Sequence, residues 1–392
     1  MPSGTLGAPT IDTHELRTFA EEVFEPLQRA DQRRWAHAYL GALLSVPGKK
    51  TLQRLAKAVS PAPAAAHGLQ QFINASPWDW GPVRRSLART VAGRGLPRAW
   101  TVKELTIPKR GEHSVGVHRR FDVELGRTVN CQLAMGLFLA ADIGCVPVDW
   151  SLLLERSWCA DEERRARARI PESVTARPAW RHILDFATDV AANPGLSGIP
   201  WVLDLRRTDD AGAVVEGLAR RGLDFVCEVS PAEPVVPASA VASAAALGEL
   251  MARGHMRQPQ VVVRQAATGR LERLTVHFGE VRLPGRAGEP SGVPRVYRAL
   301  ARPSGAGRLG VRYWLTSLTD WRAEEVLGLA RHASAVEPAV RDLGHFGVQD
   351  FEGRSFPGWH HHMTMASAAH AFARLRASGP APALAAPDRA CA

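Results

Sequence analysis

The chain has 392 residues, 45% apolar and 22% charged, which excludes a single small module and wholesale disorder and leaves room for two or three packed units. No apolar run reaches the roughly 18 residues that a membrane-spanning helix needs, so no membrane partner is expected. Met1 to Thr13 lacks the basic start and hydrophobic stretch of a signal peptide, and a cytoplasmic location is the expectation.

Along the first hundred residues, apolar side chains recur at three- and four-residue steps over Glu15 to Ala30, Arg33 to Leu44, Thr51 to Val59, His67 to Ala75 and Pro82 to Val91, which predicts five short helices. Asp79 and Pro82 punctuate the last, and the stretch from Pro61 to Ala66 reads as a linker. The period then shortens. Trp100 to Ile107, Ser114 to Phe121, Val129 to Ala140 and Cys145 to Leu154 read as strands joined by short turns. A charged stretch from Asp161 to Arg169 and a helix from Ala179 to Ala192 follow. Ile199 to Leu205, Ala211 to Arg221 and Leu223 to Val229 give strand, helix, strand, which predicts a parallel pair inside a mixed sheet. Gln260 to Arg264, Arg273 to Phe278, Arg295 to Ala301 and Val311 to Leu315 are further strands. Helices over Trp321 to Leu343 and Trp359 to Leu375 close the pattern, and 377–392 reads as a frayed tail.

The formal charge is +10, and its placement is uneven. Residues 31–97 carry ten cations (Arg33, Arg34, Lys49, Lys50, Arg54, Lys57, Arg84, Arg85, Arg89 and Arg94) against Asp31 and Asp79. That segment alone is +8, and a concentrated basic module points to a polyanion such as DNA. All but five of the 49 cations are arginine; with abundant Ala, Gly and Pro, this is the bias of a GC-rich, actinobacterial-type genome. The five cysteines (Cys131, Cys145, Cys159, Cys227, Cys391) form no C-x-x-C pair and are odd in number, which disfavours a disulfide framework and a zinc ribbon. His360, His361 and His362 are consecutive, so on a helix they point about 100° apart; packing beside Trp359 and Met363 is favoured over metal binding. His345 is expected in the core, and Trp35, Trp78 and Trp80 in helix packing rather than base stacking.

Five stretches in order resemble one family. They are His67-Gly-Leu-Gln-Gln-Phe with Trp78-Asp-Trp-Gly-Pro-Val-Arg; Ile107-Pro-Lys-Arg-Gly with Ser114-Val-Gly-Val-His-Arg-Arg-Phe; Gly126-Arg-Thr-Val-Asn-Cys-Gln; Arg156-Ser-Trp; and Arg354-Ser-Phe-Pro-Gly-Trp-His-His-His-Met-Thr-Met. Together they resemble insertion-sequence DDE transposases of the IS-four/IS-seven-zero-one group. The resemblance implies an α/β (α+β) fold: an RNase H-like mixed sheet with flanking helices over 98–230, a β-rich insertion over 231–318, and C-terminal helices over 319–376. An N-terminal helical bundle over 1–97 would bind DNA through the basic residues above. It also implies three carboxylates holding two Mg²⁺ ions.

The residues at those acidic positions depart from the family. Lys103 stands where the first Asp belongs, with Glu104 beside it. Asp204 ends the buried strand in register with the second. The family's Tyr-Arg-Glu-Lys signature falls on Leu329, His332, Val336 and Leu343, with Glu337 adjacent and Pro338 next in what is read as helix interior. A substitute triad of Glu104, Asp204 and Glu337 is disfavoured, because one step along a strand turns a side chain to the other face. Lys103 is expected in a salt bridge with Asp204 or Glu337. Three functions follow as expectations. The first is a DNA-binding or regulatory protein derived from a transposase, without a cofactor; the second is a repurposed small-molecule enzyme or ligand-binding protein using Lys103, Glu104, Asp204 and Glu337 in the former metal pocket. The third, an active transposase with a shifted triad, is the one that requires Mg²⁺. The oligomeric state is open, a dimer included.

Overall fold

The computed structural model describes residues 12–122, 126–239, 243–252, 258–265, 271–285, 295–303 and 310–378; the expected tail, from 379 on, lies outside them, as does Cys391. Helices form where the period placed them, except that the first, expected to run to Ala30, ends at Val23 with its cap at Phe24. These are α1 (Thr13–Val23), α2 (Ala30–Ser45), α3 (Leu52–Val59), α4 (Pro63–Asn74) and α5 (Trp80–Gly95). Their starts follow side-chain chemistry: Asp12, Thr51 and Asp79 accept backbone N–H groups at the first turns of α1, α3 and α5, satisfying donors that have no intrahelical partner. The expected linker is mostly helix. Pro63 occupies the first turn of α4, where its missing N–H costs nothing.

The strand pattern continues with β1 (Pro97–Pro108), β2 (His118–Asp122), β3 (Arg127–Ala141) and β4 (Gly144–Leu153), then α6 (Arg156–Ala160), α7 (Glu162–Ala168), α8 (Ala179–Ala191) and α9 (Pro194–Ser197). After these come β5 (Trp201–Asp204), α10 (Ala211–Arg220) and β6 (Phe225–Val229). Pairing runs β4–β3–β1–β5–β6, antiparallel through β1 and parallel from β1 to β6. That order is the RNase H-like mixed sheet. The next elements are β7 (Pro234–Pro237), β8 (Ala245–Ala246), α11 (Leu247–Ala252), β9 (Gln258–Gln265), β10 (Leu271–Arg282), β11 (Tyr297–Pro303) and β12 (Val311–Thr316). Because β12 pairs with β6 and β11 with β12, the β-rich segment extends the same sheet.

The chain closes with α12 (Ala323–Ala330), α13 (Val336–Leu343) and α14 (Phe356–Ala377). The single helix expected over Trp321 to Leu343 is broken by a 3₁₀ turn at Arg331–Ser334. Restarting at Val336 puts Pro338 in the first turn of α13, so the helix-interior penalty does not arise. In α14, 16 residues between Phe356 and Phe372 are buried on every side, the mark of a helix in the middle of a core. It lies between β4 and the N-terminal helices: Trp150 donates to Ser367 Oγ at 2.7 Å, and the Phe19 and Phe372 rings are 5.4 Å apart. The N-terminal helices and the sheet therefore share one hydrophobic core. No described helix is long and apolar enough to cross a membrane.

Candidate functional site

Strand register assembles a charged row across the sheet. Trp100 of β1 lies beside Trp201 of β5 in parallel pairing, so three residues on, Lys103 and Asp204 share a face. Asp204 is beside Glu228 on β6, and Glu228 opposite Trp314 on β12. Asp204 is the last residue of β5, at the carboxyl edge of the parallel strands where crevices form in open α/β sheets. The first turn of α13 brings Glu337 to this row.

Each carboxylate in the row is matched to a cation. Lys103 Nζ donates to Glu337 Oε1 at 2.5 Å. Arg206 grips Asp204 with two parallel bonds, Nε to Oδ1 at 2.9 Å and a guanidinium nitrogen to Oδ2 at 2.6 Å, and its backbone N–H adds a third at 3.2 Å. Arg312 holds both oxygens of Glu228 at 2.7 and 2.5 Å, and Arg206 lies 3.4 Å from the same carboxylate. Burial alone would raise the Asp204 carboxyl, but the Arg206 hydrogen bonds and the charges of Arg206 and Arg312 outweigh it and hold it below the usual range. Glu228 is only 2% exposed, and the Arg312 fork on it, with Arg206 beside it, makes the buried carboxylate tolerable. Among the described residues, no three His, Cys, Asp or Glu side chains converge as a metal-ligand set.

Glu104 is not part of this row. It points to the opposite face and accepts from Arg120 at 2.8 Å, as a one-residue step on a strand dictates. Gly136 sits directly across from Lys103, and a Cβ there would meet Phe138 and Trp150 at 2.7 and 2.8 Å. Sequence reasoning missed Arg206, Glu228 and Arg312. A signal existed for Glu228, the one charge in the otherwise apolar Phe225-Val-Cys-Glu-Val strand, all of it buried.

The basic helical residues divide in two. Arg33, Arg34, Lys49, Arg54, Lys57, Arg85 and Arg89 are exposed on α2, α3, α5 and the turn between α2 and α3. Arg84 and Lys50 leave the DNA-contact set because they are buried. Arg84 donates to Asp149 (2.6 Å), the Trp150 carbonyl (2.7 Å), Thr364 (2.8 Å) and the His360 carbonyl (3.0 Å), which ties α5 to β4 and α14. Lys50 Nζ donates to the Val46 carbonyl, and its backbone N–H to Asp350 at 2.8 Å.

The three consecutive histidines pack inside. His360 stacks on Trp80 at 4.5 Å and His361 on Trp78 at 3.9 Å. The ring nitrogens of His361 lie 2.8 and 2.9 Å from the Ile73 and Trp78 carbonyls, and His362 bonds to Tyr39 (2.9 Å) and the Gly347 carbonyl (2.7 Å). Desolvation lowers all three pKa values, His361 and His362 to about 4. His345, expected in the core, is exposed on a 3₁₀ turn instead. Cys131, Cys145 and Cys227 are buried free thiols, and Cys159 is partly buried.

A family model described as DDE superfamily endonuclease matches residues 22–282, about two thirds of the chain. Among solved structures, a piggyBac transposase synaptic complex with hairpin DNA is similar at 9% identity and a TM-score of 0.40, covering 96% of this chain and 70% of that one. No curated protein matches. On the family match, which spans the N-terminal helices, the parallel strands and part of the β-rich segment, the chain belongs to the DDE superfamily endonucleases.

Proposed function

We propose that this chain is a DDE protein of insertion-sequence type that has lost metal-dependent cutting and acts by binding DNA. The ion pair between Lys103 and Glu337 carries the reading. Two-metal catalysis needs carboxylates that hold two ions about 4 Å apart. The donor set present does not fit that pair. An ammonium stands at the first acidic position, Asp204 is gripped by Arg206, and Glu337 is spent on Lys103. At about 5 Å and an effective dielectric of about 20, a lysine repels a divalent ion by roughly 6 to 7 kcal/mol. The exposed cations of α2, α3 and α5 support DNA as the retained partner. A small-molecule site built on Lys103 is less supported, because its amine already has a carboxylate.

Binding of a labelled duplex to the full chain, followed by fluorescence anisotropy across a salt series, tests this reading. The expected log–log slope is about −0.9 for each phosphate neutralised, and alanine at Arg33, Arg34, Arg85 and Arg89 should flatten it by up to about 4. A response flat in salt, or no binding at 50 mM salt, removes the proposal.

A further inference from the structure

Farther along β1, β2 and β3 from Lys103, a cleft of about 510 Å³ opens at the end of β1. Lys109 and Arg110 follow β1 into it, Arg119 enters from β2, and Arg127 and Asn130 enter from β3. Glu112 is the single carboxylate among the lining residues, so the cleft is cationic by three charges, four against one. Lys109 serves as wall rather than ligand, since its ammonium is held by the Gln349 and Phe351 carbonyls at 3.0 and 2.7 Å. The exposed cations at the mouth are Arg110, Arg119 and Arg127.

The second observation is Phe121. It is 58% exposed on β2, two residues from Arg119 on the same face and directly opposite Thr128, which also lines the cleft. An aromatic ring left open beside a groove of arginines matches the recognition of unpaired nucleic acid, in which cations follow the phosphates and bases stack on aromatic rings. A duplex offers no free base face to such a ring. A cleft of this size takes a ligand of one or two nucleotides, not a double helix.

We infer that the cleft between β1, β2 and β3 binds an unpaired segment of DNA, with Arg110 and Arg119 on its phosphates and a base stacked on Phe121. This rests on the DNA-binding reading and goes beyond it in locating a site outside the basic helices and specifying single-stranded ligand. Asn130 and Arg119 share the face of Lys103, since Gly136, across from Lys103, and Asn130 are an even number of residues apart on β3 and Asn130 pairs with Arg119, whereas Arg127 projects from the other face at the end of the sheet. At about 3.4 Å per residue the separation of Gly136 and Asn130 is roughly 20 Å.

The test uses the full chain and anisotropy with three probes: a labelled twelve-nucleotide single strand, a duplex of the same length, and inorganic tripolyphosphate as competitor. The expected result is single-strand binding that Phe121→Ala weakens by about five- to a hundredfold, that Phe121→Tyr preserves, and that leaves duplex affinity unchanged. Replacing Arg110 and Arg119 together should reduce the single-strand salt slope by about 1.4. Thermal melting of each variant confirms that it folds. Equal single-strand affinity for Phe121→Ala and the parent protein overturns the inference, as does full displacement of the strand by micromolar tripolyphosphate, which marks a site for phosphate alone. Duplex binding without single-strand binding sinks this inference and leaves the DNA-binding reading standing; loss of both sinks both.

Discussion

Lys103 reaches Glu337 across half-open surface, with 38% and 50% of the two side chains exposed, whereas Arg84 meets Asp149 with 2% of its own side chain exposed. Water and salt weaken the first pair and hardly touch the second. Lys103→Ala should therefore change the free energy of urea unfolding by under about 1 kcal/mol. Arg84→Ala should cost about 3 to 5 kcal/mol, because it strands Asp149 and unmakes bonds to β4 and α14. Equal midpoints for the two variants would contradict this ranking. The site was legible to the same unequal degree. Lys103, Asp204 and Glu337 were reached through the resemblance to the transposase family, whose acidic positions fall on or beside them, and the period of two separated Glu104 from them. Arg312 was not readable, because its partner Glu228 is 84 residues away and their meeting depends on the β6–β12 register. Arg84 looked like any surface cation of a basic helix; only the layer above it, α14, shows that it is inside.

At the scale of elements, α14 explains why a run of histidines sits in a helix core. His361, His362 and His370 have pKa values pushed down to about 4 by desolvation, against an ordinary 6.5. Between those limits the unfolded chain binds protons that the folded chain does not, so the linkage sign is positive and stability rises with pH. Stability should be complete above about pH 6.5 and fall as pH drops toward 4, by up to about 1.4 kcal/mol per pH unit for each histidine. Urea unfolding at pH 7 and pH 5 measures it, and His362→Gln should shallow the loss; an unchanged midpoint between the two pH values would contradict it. The strands of β1, β3 and β4 and the β5–α10–β6 unit were readable because alternation and apolar runs are local. The break between α12 and α13 was not, since apolar spacing continues through the 3₁₀ turn. That break is what makes Pro338 harmless and turns Glu337 toward Lys103.

At the scale of the whole molecule, the basic helices are not an appendage to the sheet. They form the outer layer over α14, whose other side lies on β4, so the cationic surface and the charged row are joined through one hydrophobic core. The chain-order reading of a helical segment followed by a sheet was correct in its elements, and the helix that packs between them, α14, comes from the far C-terminus. In that frame the carboxyl edge of the parallel strands, where a DDE protein would hold metal, is instead neutralised from within by Lys103, Arg206 and Arg312. Nicking of supercoiled plasmid by the full-length protein, with Mg²⁺ or Mn²⁺ and with end-sequence DNA, tests that claim most directly. The expected result is intact plasmid under both metals, for the parent protein and for Asp204→Asn alike; nicking by the parent that Asp204→Asn abolishes would contradict it.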